Sequence, residues 1–225
     1  MKKNKIIEYL DQILPDARCE LNYTKDYELL LATMLSAQTT DKRVNMVTAV
    51  LFKKYPTLND LLNADIEDIK KIIKPIGTFN KKALNIKIIA KELLERSNGV
   101  IPNDREFLES LSGVGRKTTN VVLSNIFNEP LIAVDTHVAR VSKRLRLADL
   151  NDDVYTIEMK LNKTFPKSKL SKLHHQLVLF GRYYCKAFNP ECETCGLKEI
   201  CSYYKKLKKW LIITFLCLIF DYLKT

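Results

Sequence analysis

Apolar side chains recur along most of the chain at intervals of three and four residues, which gathers them on one face of an α-helix. Between 40 and 55, for example, Val44, Val47 and Leu51 share a face. The strict alternation that marks a β-strand is not found. The pattern predicts about ten helices joined by short loops, and therefore an all-α fold.

Capping and helix-breaking residues set the predicted ends of these helices. Asp104 is expected to cap a short helix, and the pair Asn98-Gly99 is expected to end a long one. Pro75 and Gly77 interrupt the chain before that long helix. The predicted helices are 3–14, 27–37, 40–55, 57–63, 65–73, 80–97, 104–111, 116–127, 136–146, 152–165 and 168–184.

The amino-acid composition indicates which class of molecule this chain is expected to bind. The chain has 225 residues, of which 46% are hydrophobic and 28% charged, and this balance excludes a disordered protein. Its 37 basic and 26 acidic residues give a formal net charge of +11. Such a charge predicts a polyanionic partner, with nucleic acid first and an anionic membrane second. A basic protein that binds neither is the remaining alternative.

The two ends of the chain differ in character. Glu8 and Asp11 interrupt the first apolar stretch, so we expect no secretory signal peptide and a cytoplasmic protein. Near the other end, four lysines at 205–209 precede the apolar stretch 210–220. As a helix this stretch would span about 16 Å, too short for a bilayer core of about 30 Å. Binding to a membrane surface, packing on the protein and an appended tail of no function all stay open.

Four of the six cysteines crowd together near the end of the chain, at Cys185, Cys192, Cys195 and Cys201. This grouping favours a metal centre in a reducing compartment over a disulfide scaffold. Soft thiolates select zinc, copper(I) or an iron–sulfur cluster. A single C-x2-C knuckle with two wider arms favours a [4Fe–4S] cluster, while zinc and unliganded thiols remain alternatives.

A glycine-containing turn, LSGVGRKT at 111–118, separates two predicted helices. We expect the backbone N–H groups of Val114, Gly115 and Arg116 to point outward at the start of the second helix, where they could bind a phosphate. A purely structural turn is the alternative. Lys117 follows directly, and the positive helix end beside Arg116 favours its neutral, nucleophilic amine. A phosphate-binding lysine is equally compatible with this position.

Asp135 lies in the segment VDTH at 134–137, after apolar residues and before a predicted helix. It is predicted to be the N-cap of that helix. A carboxylate held rigidly at a helix end is also a positioned base or electrostatic partner, so the two roles are compatible.

Together these features resemble the endonuclease III family of DNA glycosylases with lyase activity, over about residues 1–204. The resemblance rests on LSAQTTD at 35–41, the helix–hairpin–helix segment 111–118, VDTH at 134–137 and the four-cysteine spacing. It implies a two-lobed fold, with a six-helix lobe at 20–129 and an iron–sulfur lobe made of 1–19 and 130–204. The segment 205–225 would be an appended tail. The active cleft would lie between the lobes, with a monomer sufficient for activity.

The resemblance also implies roles for individual residues in removing oxidised pyrimidines from duplex DNA. Lys117 would form a Schiff base, and Asp135 would stabilise the cationic sugar. Gln38 would fill the gap left by the flipped nucleotide. The turn Gly113, Val114 and Gly115, with Arg116, would grip a phosphate. The cysteines that would hold a [4Fe–4S] cluster are Cys185, Cys192, Cys195 and Cys201.

Three positions depart from the family pattern. Ser112 replaces a usual proline in the turn, and Thr78 stands where a leucine wedge is common. Glu191 lies in the cysteine loop, where basic residues are usual, and is expected to weaken contact of that loop with DNA. A monofunctional glycosylase and a non-enzymatic module that locates damage are the competing functional hypotheses.

Overall fold

The computed structural model describes residues 2–210, and within that range it is helical with no β-strand. The all-α prediction is confirmed. The predicted helices are all present, with ends within two residues of the predicted ones. Their bounds are α1 Lys2–Ile13, α2 Asp26–Leu35, α3 Asp41–Lys54, α4 Leu58–Asn63, α5 Ile66–Ile73, α6 Phe79–Ser97, α7 Arg105–Ser110, α8 Arg116–Ile126, α9 Thr136–Arg144, α10 Val154–Thr164 and α11 Lys167–Tyr183. A short 3₁₀-helix, Lys198–Ile200, and a helical segment at 202–210 follow.

The helix ends show why the boundaries could be predicted. Asp104 caps α7 by accepting a hydrogen bond from the Phe107 N–H at 3.1 Å. Asn98 and Gly99 adopt the left-handed conformation, with φ of 52° and 79°, and stop α6. The helix predicted over 136–146 ends earlier, at Arg144. Arg146 is left-handed, with φ of 51°, and this conformation breaks the helix.

Backbone contacts divide the chain into two units. The first, which we call the hairpin unit, comprises Cys19–Ala133 and holds α2 to α8. Its central helix is α2, which packs against α3, α6 and α8. Leu29, Leu30, Leu31 and Leu35 are fully buried although they point in different directions around the helix. A helix that is apolar all round must lie inside the fold, so α2 forms the middle of this core.

The second unit, which we call the cysteine unit, comprises 2–18 and 134–210 of the described chain. Here α11 packs against α1 and α9. Gly181 on α11 allows a close approach to α9, because a Cβ atom there would lie 2.9 Å from the Cβ of His137. The cysteine loop at 184–201 packs on α1, since a Cβ at Gly196 would lie 2.5 Å from the Tyr9 ring. This packing fixes the loop to the body of its unit.

Within 2–210, no helix is long and apolar enough to cross a membrane. Most of the predicted basic and apolar tail, 211–225, lies outside the described residues.

Candidate functional site

The turn between α7 and α8 requires glycine at Gly113. Its φ of 78° is left-handed, and a Cβ there would lie 2.2 Å from Nδ2 of Asn85. The neighbouring Ser112 hydroxyl donates to Oδ1 of Asn85 at 2.9 Å. Asn85 is 5% exposed and belongs to α6. The buried side-chain amide of Asn85 therefore fixes the conformation of the turn. The sequence analysis missed this residue.

Gly115 is different, because nothing inside the protein demands a glycine there. Its φ is −116°, and a Cβ would meet nothing within 4 Å. It is the N-cap of α8, next to first-turn amides that have no acceptor within the helix. An exposed glycine at this position leaves room for a ligand to approach the backbone closely.

Val114 departs from the expected geometry. Its backbone N–H donates to the Leu111 carbonyl at 3.0 Å, and the residue is 5% exposed. The expectation that this N–H points outward is wrong, because the tight turn uses it to close on itself. A direct amide contact with phosphate is therefore left to the first turn of α8.

Lys117 is the second residue of α8, and it is exposed. The residues that follow it, Thr118, Thr119 and Val122, are buried. The seven consecutive residues Thr118–Ser124 are buried, so α8 is enclosed on all sides beyond its first turn, and Lys117 lies at its exposed N-terminal end. The lysine lies two residues beyond Gly115, so an anion bound at the turn would be close to its amine.

Gln38 is exposed in the turn that follows α2, with a left-handed φ of 58°. Thr78 has nearly the same conformation, with φ of 54°, directly before α6. Non-glycine residues seldom adopt this conformation, and they do so where the surroundings enforce it. Each of the two turns therefore exposes a residue with a strained backbone conformation on the surface of the hairpin unit.

Asp135 belongs to the cysteine unit and is the N-cap of α9, as predicted. Its Oδ1 atom accepts hydrogen bonds from the N–H groups of His137 and Val138, both at 2.8 Å. The side chain is half-buried. The cap uses Oδ1 and fixes the orientation of the carboxylate, whose Oδ2 atom takes no part in the cap.

The four cysteines of the 185–201 loop line one cavity in the cysteine unit. The cavity opens to solvent, and its lining includes the aromatic side chains of Tyr9, Phe180 and Tyr184. Within 2–210, no group of three or more His, Cys, Asp or Glu side chains is placed to hold one metal ion. The structure therefore brings all four predicted cysteines to one cavity.

Two arginines of α9, which the sequence analysis missed, hold this loop. Arg140 donates to the carbonyls of Gly181 at 2.7 Å and Cys185 at 3.1 Å. Arg144 donates to the Lys186 carbonyl at 2.7 Å, and its Nη1 lies 3.3 Å from Sγ of Cys185. The helix that Asp135 caps is thus bonded directly to the cysteine loop. The signal was a pair of arginines four residues apart, hence on one helix face, in a chain with four clustered cysteines.

Glu191 in the cysteine loop is not an isolated negative charge. It forms an ion pair with Lys186 at 2.9 Å, with both side chains about half exposed. The weaker contact of this loop with DNA stays a prediction.

The two glycines of the turn give a prediction with an internal control. Gly113→Ala should lower the free energy of unfolding by about 2 kcal/mol or more, because it combines a left-handed φ with a clash against Asn85. Gly115→Ala should change it by less than about 0.5 kcal/mol, since its Cβ would enter open space. Urea denaturation of both variants measures this. Equal losses would show that the turn geometry is wrong.

Comparison with known proteins now defines the class. Residues 31–167 match the family model of the HhH-GPD superfamily of base excision DNA repair proteins. Two solved endonuclease III–DNA complexes share the fold, each at 44% identity. The non-covalent complex has a TM-score of 0.89 over 93% of this chain and 99% of that one. The trapped covalent intermediate has a TM-score of 0.87 over 92% and 99%.

The particular family follows from the curated relatives. Endonuclease III of Bacillus subtilis is 44% identical over 203 residues, which cover 90% of this chain and 93% of that protein. Endonuclease III of Escherichia coli K12 is 43% identical over 210 residues, which cover 92% and 99%. The chain belongs to the endonuclease III family and is a DNA glycosylase of base excision repair. DNA is its macromolecular partner.

Proposed function

We propose that this enzyme is bifunctional: it removes oxidised pyrimidines from duplex DNA and then cleaves the strand 3′ of the abasic site. The observation that carries the proposal is the exposed amine of Lys117 at the N-terminus of α8, two residues beyond Gly115. A phosphate gripped at the turn would bring the neighbouring sugar to that amine. The trapped covalent intermediate of a 44% identical endonuclease III with DNA supports the same chemistry here.

Binding comes first and is dominated by phosphate contacts. The first-turn amides of α8 and Arg116 bind the DNA backbone beside the damaged nucleotide. Gly113 and Gly115 carry no side chain, so the backbone phosphate can approach the turn closely. Gln38, exposed on its turn, enters the space that the flipped nucleotide leaves. Flipping costs a few kcal/mol, and less for a damaged base that stacks poorly. With a net charge of +11, affinity should fall steeply as salt rises.

Base removal is a displacement at the sugar. The neutral Nζ of Lys117 attacks C1′ and forms a C–N bond, while the N-glycosidic bond breaks and its electron pair leaves with the base. The departing base takes up a proton. Opening of the sugar ring then converts the adduct into a protonated Schiff base, with O4′ as the proton acceptor. Asp135 stabilises the cationic sugar and assists these proton transfers.

Strand cleavage follows from the Schiff base. The iminium acidifies the C2′ protons, and loss of one of them expels the 3′ phosphate by β-elimination. Water then hydrolyses the imine and restores the Lys117 amine.

We further propose that Cys185, Cys192, Cys195 and Cys201 hold a [4Fe–4S] cluster. The common cavity that all four cysteines line and the Arg144 guanidinium beside Cys185 support this donor set. The cluster organises the loop that contacts DNA and takes no part in the base chemistry. A brown protein that absorbs in the violet, with equal iron and acid-labile sulfide, is the expected result.

Borohydride trapping tests the proposed reaction. The enzyme is mixed with duplex DNA that carries one thymine glycol, and borohydride reduces any Schiff base to a stable amine. A covalent protein–DNA adduct supports the bifunctional reaction. Base release with no adduct would make the enzyme monofunctional. If enzyme loaded with its cluster gave neither base release nor an adduct, the result would contradict thymine glycol as a substrate.

We propose that the enzyme acts as a monomer on the nucleoid in the cytoplasm.

A further inference from the structure

A buried lysine on α6 lies behind the turn that carries Gln38. Lys82 is 4% exposed, and its Nζ donates to the carbonyls of Leu35 at 2.9 Å and Ala37 at 2.8 Å. These carbonyls are at the C-terminal end of α2 and in the following turn. Burial lowers the pKa of Lys82 below its ordinary value. The cation is thus bonded to backbone carbonyls at the end of α2, where the helix dipole favours positive charge.

The same residue also holds the second strained turn. The backbone N–H of Lys82 donates to the Thr78 carbonyl at 3.1 Å and so closes the first turn of α6. Gln38 and Thr78 are both left-handed, with φ of 58° and 54°. Lys82 is therefore bonded both to the turn that carries Gln38 and to the turn that carries Thr78.

We infer that Lys82 is a positioning residue for lesion recognition: its bonds to Leu35 and Ala37 hold Gln38 ready to enter the gap in the DNA. The inference rests on the proposed gap-filling role of Gln38. Without the lysine, the carbonyls at the end of α2 lose a charged donor, and the left-handed residue loses the contacts that enforce its conformation. The turn would then have to become ordered during binding, which weakens affinity for the opened duplex.

The chain supplies a matched control on the same helix. Lys87, five residues further along α6, donates its Nζ to the Ala64 carbonyl at the C-cap of α4. Lys82→Met and Lys87→Met each remove one positive charge from α6; the first also removes two lysine-to-carbonyl contacts and the second removes one. Only Lys82→Met removes the support behind Gln38.

Hydrogen–deuterium exchange in the free enzyme tests the positioning directly. Lys82→Met should raise the exchange of amides in 36–40, while Lys87→Met should leave this segment unchanged and affect the region of Ala64. This readout needs neither DNA nor activity, so it is independent of the proposed reaction. Unchanged exchange in 36–40 would overturn the inference.

A double-mutant cycle links the turn to recognition. Wild type, Gln38→Ala, Lys82→Met and the double variant are compared in binding a duplex that carries a tetrahydrofuran abasic analogue and an undamaged duplex. Lys82→Met should weaken binding to the analogue about tenfold in the wild-type background and less than about twofold in Gln38→Ala. Binding to undamaged duplex should change equally in Lys82→Met and Lys87→Met, through the lost charge alone.

The remaining outcomes are separable. Additive losses in the cycle would show that Lys82 acts independently of Gln38 and would overturn the inference. Wild-type affinity in Gln38→Ala would overturn the gap-filling role and the inference with it, yet leave the trapping reaction at Lys117 untouched. Loss of trapping with the cycle intact would instead count against the proposed chemistry alone.

Discussion

Lys117→Ala is expected to lose the borohydride-trapped adduct completely and to slow both base release and strand cleavage by on the order of 10³-fold or more. The substitution removes the amine that we propose as the nucleophile of the covalent intermediate. Lys117 is exposed at the start of α8, so the fold should tolerate the change. Single-turnover kinetics on a thymine glycol duplex measure both rates.

Two further variants distinguish a role of Lys117 as the nucleophile from a role as a phosphate contact. Lys117→Arg keeps the positive charge but presents no neutral amine, so it should bind an abasic-analogue duplex like the wild type and still form no adduct. Lys81→Ala removes an exposed lysine from α6 and should keep the adduct. An adduct in Lys117→Ala would assign the Schiff base to another amine.

The second large effect is expected at Asp135. Asp135→Asn should lower the rate of base release by about 10²- to 10⁴-fold, because the cationic sugar loses its counter-charge and the reaction loses a proton acceptor. Asparagine caps helices about as well as aspartate, so the free energy of unfolding should change by less than about 0.5 kcal/mol. Trapping kinetics and thermal denaturation of the same preparations measure the two quantities.

A second aspartate N-cap in the same unit provides the control. Asp153 is the N-cap of α10 in the same unit and accepts a hydrogen bond from the Thr156 N–H at 2.7 Å. Asp153→Asn makes the same chemical change at an exposed cap and should leave base release unchanged. If both variants lost activity equally, or if Asp135→Asn lost stability in proportion, the effect would be structural and the proposed role would be wrong.

Local chemistry explains how far the sequence predicted this fold. Helix spacing, the cap at Asp104 and the stop at Asn98-Gly99 depend on contacts within a few residues, so the pattern along the chain contains them. The cap at Asp135 was predicted for the same reason. The end of α9 was missed because the left-handed conformation of Arg146 falls on a residue that carries no such signal.

The tight turn shows where sequence reasoning stops. Two glycines, Gly113 and Gly115, look equivalent along the chain, yet Asn85 closes the space beside one of them and leaves the other open. Val114 was expected to offer its amide to phosphate, and the turn uses that amide internally. The difference between the two glycines depends on a residue nearly thirty positions away, which no local pattern reports.

The sequence by itself determined the helices and the family, because each depends on short spacings or specific motifs. The same motifs nominate the cysteine donor set and the reactive roles of Lys117 and Asp135, which stay proposals. Tertiary structure alone decided which residues support them. Lys82 donates to Ala37, which is 45 positions away and next to Gln38. Arg144 contacts Cys185, which is 41 positions away. Such polar residues look like ordinary surface cations in a basic sequence until folding removes them from water and gives them particular carbonyl and thiol partners.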